Sequence, residues 1–276
     1  MNASETAKAY VVKNKKGKIR VHNPKYTRPF NIFLLSFSVI TLVLSYFVEY
    51  DWIKILSRVK NVWGAVKLMA HIDFSEVDLI MPFFFETLCV TVLATVYSAI
   101  LGMIFAVFMA RNITPLKIFP PIFNAAFTLI RAIPNFIFVL LVIVCLGFGV
   151  TPAIIGLCIS STAIFARAFA HAFEELDEGT LEALASTGAG KLKVFFAAVL
   201  PSALTMLVAW LTMRFEGNFQ GASNLGMVGA GGIGFLISAA FGSYKYGRAW
   251  VAVLLVVVFT YIFEISFNAL KRRLKG

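Results

Sequence analysis

Few residues in this sequence are placed to do chemistry. Arg214, Glu216 and Asn218 stand close together in a long apolar run, and Arg167 stands in another. A charge in such surroundings must pair, reach water or meet a charged ligand. Arg214 and Glu216 are two residues apart and do not share a helix face. Each therefore needs a partner elsewhere, with Arg167 and Glu86 as candidates, while Asn218 lies one turn from Arg214 on the same face. Arg214 suits a passing anion or a structural ion pair. Arg167 is expected to pair or to snorkel toward headgroups. Other constellations fail on context. Gly229, Gly231 and Gly234 match the letters of the dinucleotide fingerprint, but that motif needs a preceding strand and an acid ~20 residues on. Here the next acid is Glu264, and apolar runs flank the glycines. Gly229, Gly231, Gly232 and Gly234 read instead as sites of close chain approach, in a flexible or tightly packed outer loop that can act as a gate. Gly188-Ala189-Gly190-Lys191 is not a phosphate-binding loop, because Ala185 and Leu192 replace the required Gly and Ser/Thr. His171 and Glu174 are two ligands at most, so no metal site is expected. Cys89, Cys145 and Cys158 lie far apart in apolar runs and read as small buried residues. No catalytic motif is present.

The elements that must hold these residues follow from composition. The chain has 276 residues, of which 59% are hydrophobic and only 14% charged. Soluble domains are about 45–50% apolar and about 25% charged. A water-soluble globule of this length has no interior large enough for that much apolar surface, which excludes a soluble enzyme and a disordered regulator. The net charge of +11 points to the positive-inside rule rather than to nucleic acid. A spanning helix needs ~20 apolar residues. Six stretches qualify, near 30–48, 81–110, 132–149, 153–173, 201–222 and 249–268. The expected fold is all-α, a polytopic transmembrane helical bundle of six spans. The segment 117–131 is expected as a short helix at the cytosolic surface. Pro24 and Pro29 argue against a continuous helix up to Phe30.

With the N-terminus inside and six alternating spans, the inner segments carry 16 Lys/Arg and the outer segments 6. Both termini are therefore expected in the cytosol. The organisation is a basic cytosolic tail (1–29), a first span with an extracytoplasmic segment (30–80), a five-span core (81–270) and a basic tail (271–276).

The loop 174–200 inside that core is the most informative stretch. Thr180 suits a helix N-cap, and Glu182 sits in the first turn, where the dipole favours a carboxylate. Leu181, Leu184, Ala185 and Gly188 fall on one stripe. Gly188 can end this helix in a left-handed conformation. A second helix starts near Lys191, and Pro201 suits the first turn of span five. A helix, a glycine break and a second helix form a device that a plain connecting loop does not require.

Glu182-Ala183-x4-Gly188-x11-Leu200-Pro201 resembles the coupling motif of ABC-importer permeases. Leu184 stands where that motif has a second Ala, and Ala198 where Ile is usual. Arg131-Ala132-Ile133-Pro134, Arg214-Phe215-Glu216-x-Asn218 and the glycine run Leu225–Gly234 extend the resemblance to the phosphonate-type subfamily of type I importers. Methionine- and glycine-betaine-type permeases share a similar glycine run. The resemblance covers roughly 80–270. It implies a permease homodimer in a bacterial inner membrane, importing phosphonate or a related small oxyanion such as phosphite or a phosphate ester. Two separate ATPase subunits would use ATP and Mg and grip Glu182, Ala183, Leu184 and Gly188, with Leu200 and Pro201 closing the motif. An extracytoplasmic binding protein would deliver the ligand. The chain itself would bind no cofactor and do no covalent chemistry. The rival readings are an ion-coupled secondary transporter and an ABC permease for another small solute, such as methionine or glycine betaine.

Overall fold

The computed structural model describes residues 12–13, 19–20, 24–48, 51–69, 72–176, 179, 181, 184, 186 and 188–275. The chain divides into two compact units, residues 1–65 and 66–276.

The first unit holds a two-residue antiparallel pair, β1 (Val12–Lys13) with β2 (Ile19–Arg20), in the register Val12 to Arg20. Helix α1 (Pro24–Phe47) follows, then most of α2 (Trp52–Met69). The helix thus begins at Pro24, six residues earlier than the prolines suggested, and its apolar, membrane-length part begins at Arg28. Pro24 occupies the first helical position, where its missing N–H costs nothing. Pro29 falls in the second turn and removes a single backbone bond. The α1 side chains from Arg28 onward are almost all exposed, among them Leu35, Leu42 and Phe47. A helix this apolar and this long reads as a membrane span. The segment 49–80, expected to be extracytoplasmic, is mostly helical among its described residues. Lysines at 54, 60 and 67 interrupt its hydropathy and hid α2 from the sequence reading.

The second unit is a helical bundle. After a turn of 3-10 helix (Phe74–Glu76) come α3 (Val77–Met109), α4 (Phe119–Ala132), α5 (Asn135–Leu146) and α6 (Val150–Glu174). A short helix (Lys191–Val194) and a π turn (Phe195–Val199) lead into α7 (Leu200–Leu225). Pro201 offers no N–H to the Ala197 carbonyl, and the turn before it widens, with Leu200 N–H donating back to the Phe195 carbonyl. Helices α8 (Gly232–Gly242) and α9 (Tyr246–Lys275) complete the unit. Glu76 and Arg248 form an ion pair that ties the start of α3 to the start of α9.

Helix α3 is apolar along its whole length, yet only one stripe of it is buried. Thr87, Thr91, Thr95, Ser98, Gly102 and Ala106 recur at three- and four-residue spacing and face inward. Leu79, Val92, Val96, Ile100 and Ile104 face outward. Small residues let membrane helices approach closely. A Cβ on Gly102 would come within 2.4 Å of the Phe165 Cβ on α6, and one on Gly156 within 2.4 Å of Val139 on α5.

Among the described residues, five helical segments are long and apolar enough to cross a bilayer, or six if α4 and α5, bent by 85° at their junction, count as one. This corrects span three, expected at 132–149. Pro134 stops the helix there, and α5 alone has only 12 residues, about 18 Å at 1.5 Å per residue, short of a ~30 Å hydrocarbon core, so a third crossing takes α4 and α5 together. The short helix expected at 117–131 is present as α4. A second correction concerns 223–248, expected as an outer loop, which contains the packed helix α8.

Candidate coupling loop and translocation site

The candidate coupling segment is described in part. Gly179, Leu181, Leu184 and Ser186 have helical backbone, while Thr180, Glu182, Ala183 and Ala185 lie outside the described residues. Leu181 packs on the core cluster that holds Phe173 and Phe195. Gly188 has φ +78°, and nothing lies within 4 Å of where its Cβ would stand. Glycine is thus required there by backbone conformation and not by space. Pro201 sits in the first turn of α7, as its sequence position indicated.

The second group of residues meets at mid-helix. Arg214 is fifteenth of 26 residues in α7, Ser161 twelfth of 25 in α6 and Thr95 nineteenth of 33 in α3. Arg214 Nη2 donates to Ser161 Oγ at 2.7 Å and to Asn218 Oδ1 at 3.0 Å. Ser161 Oγ donates to Asn218 Oδ1 at 2.7 Å, and Asn218 Nδ2 donates to Thr95 Oγ1 at 3.0 Å. Asn218 and Ser161 are fully buried. Arg214 Nε is buried with no hydrogen-bond partner among the described residues. Arg214 forms no ion pair among them either, so the partners expected from sequence are replaced by neutral ones. Ser161 and Thr95 were missed, since single hydroxyls in apolar runs carry little signal. The i, i+4 recurrence of Thr87, Thr91 and Thr95 was the available clue.

Glu86, expected as a partner for an intramembrane charge, caps a helix instead. Its Oε2 accepts from Gly232 N–H at 2.9 Å, and Thr87 Oγ1 accepts from Ile233 N–H at 2.8 Å. These are free N–H groups at the start of α8, where partial positive charge favours a carboxylate. Glu216 is half-buried and accepts from Gln220 Nε2 at 3.3 Å. Arg167 is not brought to Arg214. It lies six residues past Ser161, about 9 Å along α6, and lines a separate cavity with Arg111, Asn124 and Glu174.

The glycine run is where α7 turns back into α8. Gly229, Gly231 and Gly232 have positive φ. Gly234 is needed for space, because a Cβ there would lie 1.7 Å from the Ser223 carbonyl oxygen. Of the two readings left open by sequence, close packing is the one observed.

Residues 98–276 match the family described as the binding-protein-dependent transport system inner membrane component, and the chain belongs to that family of membrane permeases. Among its relatives, the phosphate-import permease protein PhnE of Mycolicibacterium smegmatis is 35% identical over 187 residues, which is 68% of this chain and 35% of that protein. The chain thus spans about a third of that relative's length. The phosphite transport system permease protein PtxC of Stutzerimonas stutzeri is 30% identical over 191 residues, 68% of each chain. Of solved structures, an inward-facing form of the MetNI methionine ABC transporter superposes with TM-score 0.65 at 24% identity, covering 73% of this chain and 99% of that one. A bacterial alginate ABC transporter does so with TM-score 0.63 at 13% identity, covering 91% and 98%. The fold is therefore that of type I ABC-importer permeases.

Proposed function

We propose that this chain is the membrane-spanning subunit of an ATP-driven importer of small phosphorus oxyanions: phosphonate, phosphite or a phosphate ester. Arg214 carries the reading. It is a guanidinium at mid-helix depth whose hydrogen-bond partners are all neutral oxygens. Its charge is therefore oriented but not cancelled, and an anion in the pathway is its natural complement. The names of the relatives, one importing phosphate and one phosphite, support this substrate class. Glu216 and Asn218 complete the α7 contribution, Asn218 by aiming Arg214.

Two copies of the chain surround one pathway, with both termini in the cytosol. Two ATPase subunits bind the loop 174–200 and grip Glu182, Ala183, Leu184 and Gly188, while Leu200 and Pro201 fix that loop to α7. ATP with Mg acts on those partners, and this chain does no covalent chemistry. A binding protein delivers ligand to the outer face, where Gly229, Gly231, Gly232 and Gly234 let the start of α8 pack closely at the gate. Nucleotide binding shifts the population between inward- and outward-open states.

The test is a mild-detergent pull-down of the tagged chain, followed by reconstitution. A stoichiometric ATPase partner and ATP-dependent uptake of labelled phosphite or methylphosphonate are expected. A chain that purifies alone and drives uptake without ATP would replace this reading with a secondary transporter. A cysteine at Lys117 that reacts with an impermeant reagent from outside would invert the orientation.

A further inference from the structure

Arg167 and Arg111 raise a question that the transport reading does not absorb. They line one cavity of about 270 Å³ with Asn124, His171 and Glu174, between the end of α3, the start of α4 and the last turns of α6. Arg167, His171 and Glu174 fall at i, i+4 and i+7, on one face of α6. The one carboxylate in this group is already engaged. Glu174 Oε1 accepts from the Arg111 backbone N–H at 2.8 Å, and Oε2 lies 3.7 Å from His171 Nδ1. The side chains of Arg111 and Arg167 make no hydrogen bond or ion pair among the described residues. Two guanidinium groups thus border a cavity with at most one opposing charge, which is itself partnered. The volume equals about nine waters at ~30 Å³ each.

We infer that this cavity is a binding site for a phosphate group at the inner face of the bundle. Three considerations support that ligand chemistry. A guanidinium fork matches phosphate oxygens in a bidentate way. The ends of α3 and α6 put the cavity at headgroup depth, where basic pockets between membrane helices hold anionic headgroups. Arg167 is half-buried and lines the cavity from the α6 side. The phosphate is either an anionic lipid headgroup or a free phosphate-type anion in the cytosol. The inference rests on the orientation given above, which puts the loop after α3 inside.

The test uses the full transporter in nanodiscs, without nucleotide or binding protein, so it reads the site independently of transport. Three measurements are made: thermal unfolding in phosphatidylcholine discs, the same in discs containing phosphatidylglycerol, and titration of phosphatidylcholine discs with inorganic phosphate. Native mass spectrometry scores retained lipid. Stabilisation by phosphatidylglycerol alone identifies a lipid headgroup, and stabilisation by phosphate alone identifies a free anion. Either effect should weaken about tenfold in Arg167→Gln, the loss of one charge-assisted contact, and further in Arg111→Gln/Arg167→Gln. Arg167→Lys keeps the charge, guards against a folding defect and should fall between. No response to either ligand, or an unchanged response in a folded double variant, overturns the inference.

Discussion

Replacing Arg214 with Met separates its structural role from its transport role. The substitution removes two hydrogen bonds, at 2.7 and 3.0 Å. Bonds to a charged donor contribute about 1.5–3 kcal/mol each. It also removes a charge that costs ~2.5–3.5 kcal/mol at the centre of a spanning helix. The two changes oppose each other, so the net loss of stability should not exceed about 3.5 kcal/mol. No new orphan is created, because Ser161 Oγ still donates to Asn218 Oδ1 and Asn218 Nδ2 still donates to Thr95 Oγ1. Transport has no such compensation. Loss of a guanidinium–oxyanion contact of about 1.5–3 kcal/mol should lower uptake roughly ten- to hundredfold. Arg214→Lys keeps the charge without the fork and should fall between. The assay is ATP-driven uptake of labelled oxyanion in proteoliposomes, normalised to protein that elutes as folded complex. Normal uptake by folded Arg214→Met would refute the assignment. Normal ATPase coupling with lost uptake would localise the defect to the pathway.

The other predictions concern the backbone. Gly188→Ala forces a side chain into φ +78°, at about 1–2 kcal/mol, and should weaken ATPase co-purification several-fold. Gly188→Asn should be milder, and Gly188→Pro should abolish the association. Equal behaviour of Ala and Asn would show that φ is not the cause. Gly234→Ala places a Cβ 1.7 Å from the Ser223 carbonyl oxygen. It should leave no folded chain in detergent chromatography, and a stable, monodisperse variant would contradict the packing. Glu86→Ala uncaps Gly232 N–H and should cost about 1–3 kcal/mol in thermal unfolding. Glu86→Gln, which keeps an acceptor oxygen, should cost less, so equal losses would show that the carboxylate charge, not the acceptor, is what matters.

Sequence made the bundle legible where one property ran unbroken for about 20 residues, as in α3, α6, α7 and α9. It failed where the deciding interaction was distant. Residues 232–242 looked like a glycine-rich loop because nothing nearby starts a helix. The start is supplied by Glu86 and Thr87, 146 residues earlier in the chain. Hydropathy also ran smoothly across Pro134, so it did not register the 85° bend between α4 and α5. Gly188 and Pro201 were readable because their signals are local: a glycine in the left-handed region and a proline at a helix start. Arg214 was conspicuous as a lone charge in an apolar run. Its partners were not, since Ser161 and Thr95 are common residue types whose meaning comes only from three helices meeting.

The position of Thr95 links that meeting point to the glycine turn. Thr87 and Thr95 lie on the same buried stripe of α3, eight residues and about 12 Å apart. Thr87 holds the start of α8, and Thr95 holds Asn218, which aims Arg214. Helix α7 reaches α8 independently, through the contact of Gly234 with the Ser223 carbonyl. The three helices are thus fixed at three places, two of them by hydrogen bonds to α3 hydroxyls that also bond back to their own helix at 3.1 and 2.7 Å. Sliding α3 against α7 by one turn would break the Thr95–Asn218 bond, and sliding it against α8 would uncap Gly232 and Ile233 in an apolar medium, where each unsatisfied group costs several kcal/mol. The cost of such sliding binds α3, α7 and α8 into one body that carries Arg214. In the proposed transport cycle, this body moves as a whole, with no rearrangement within it.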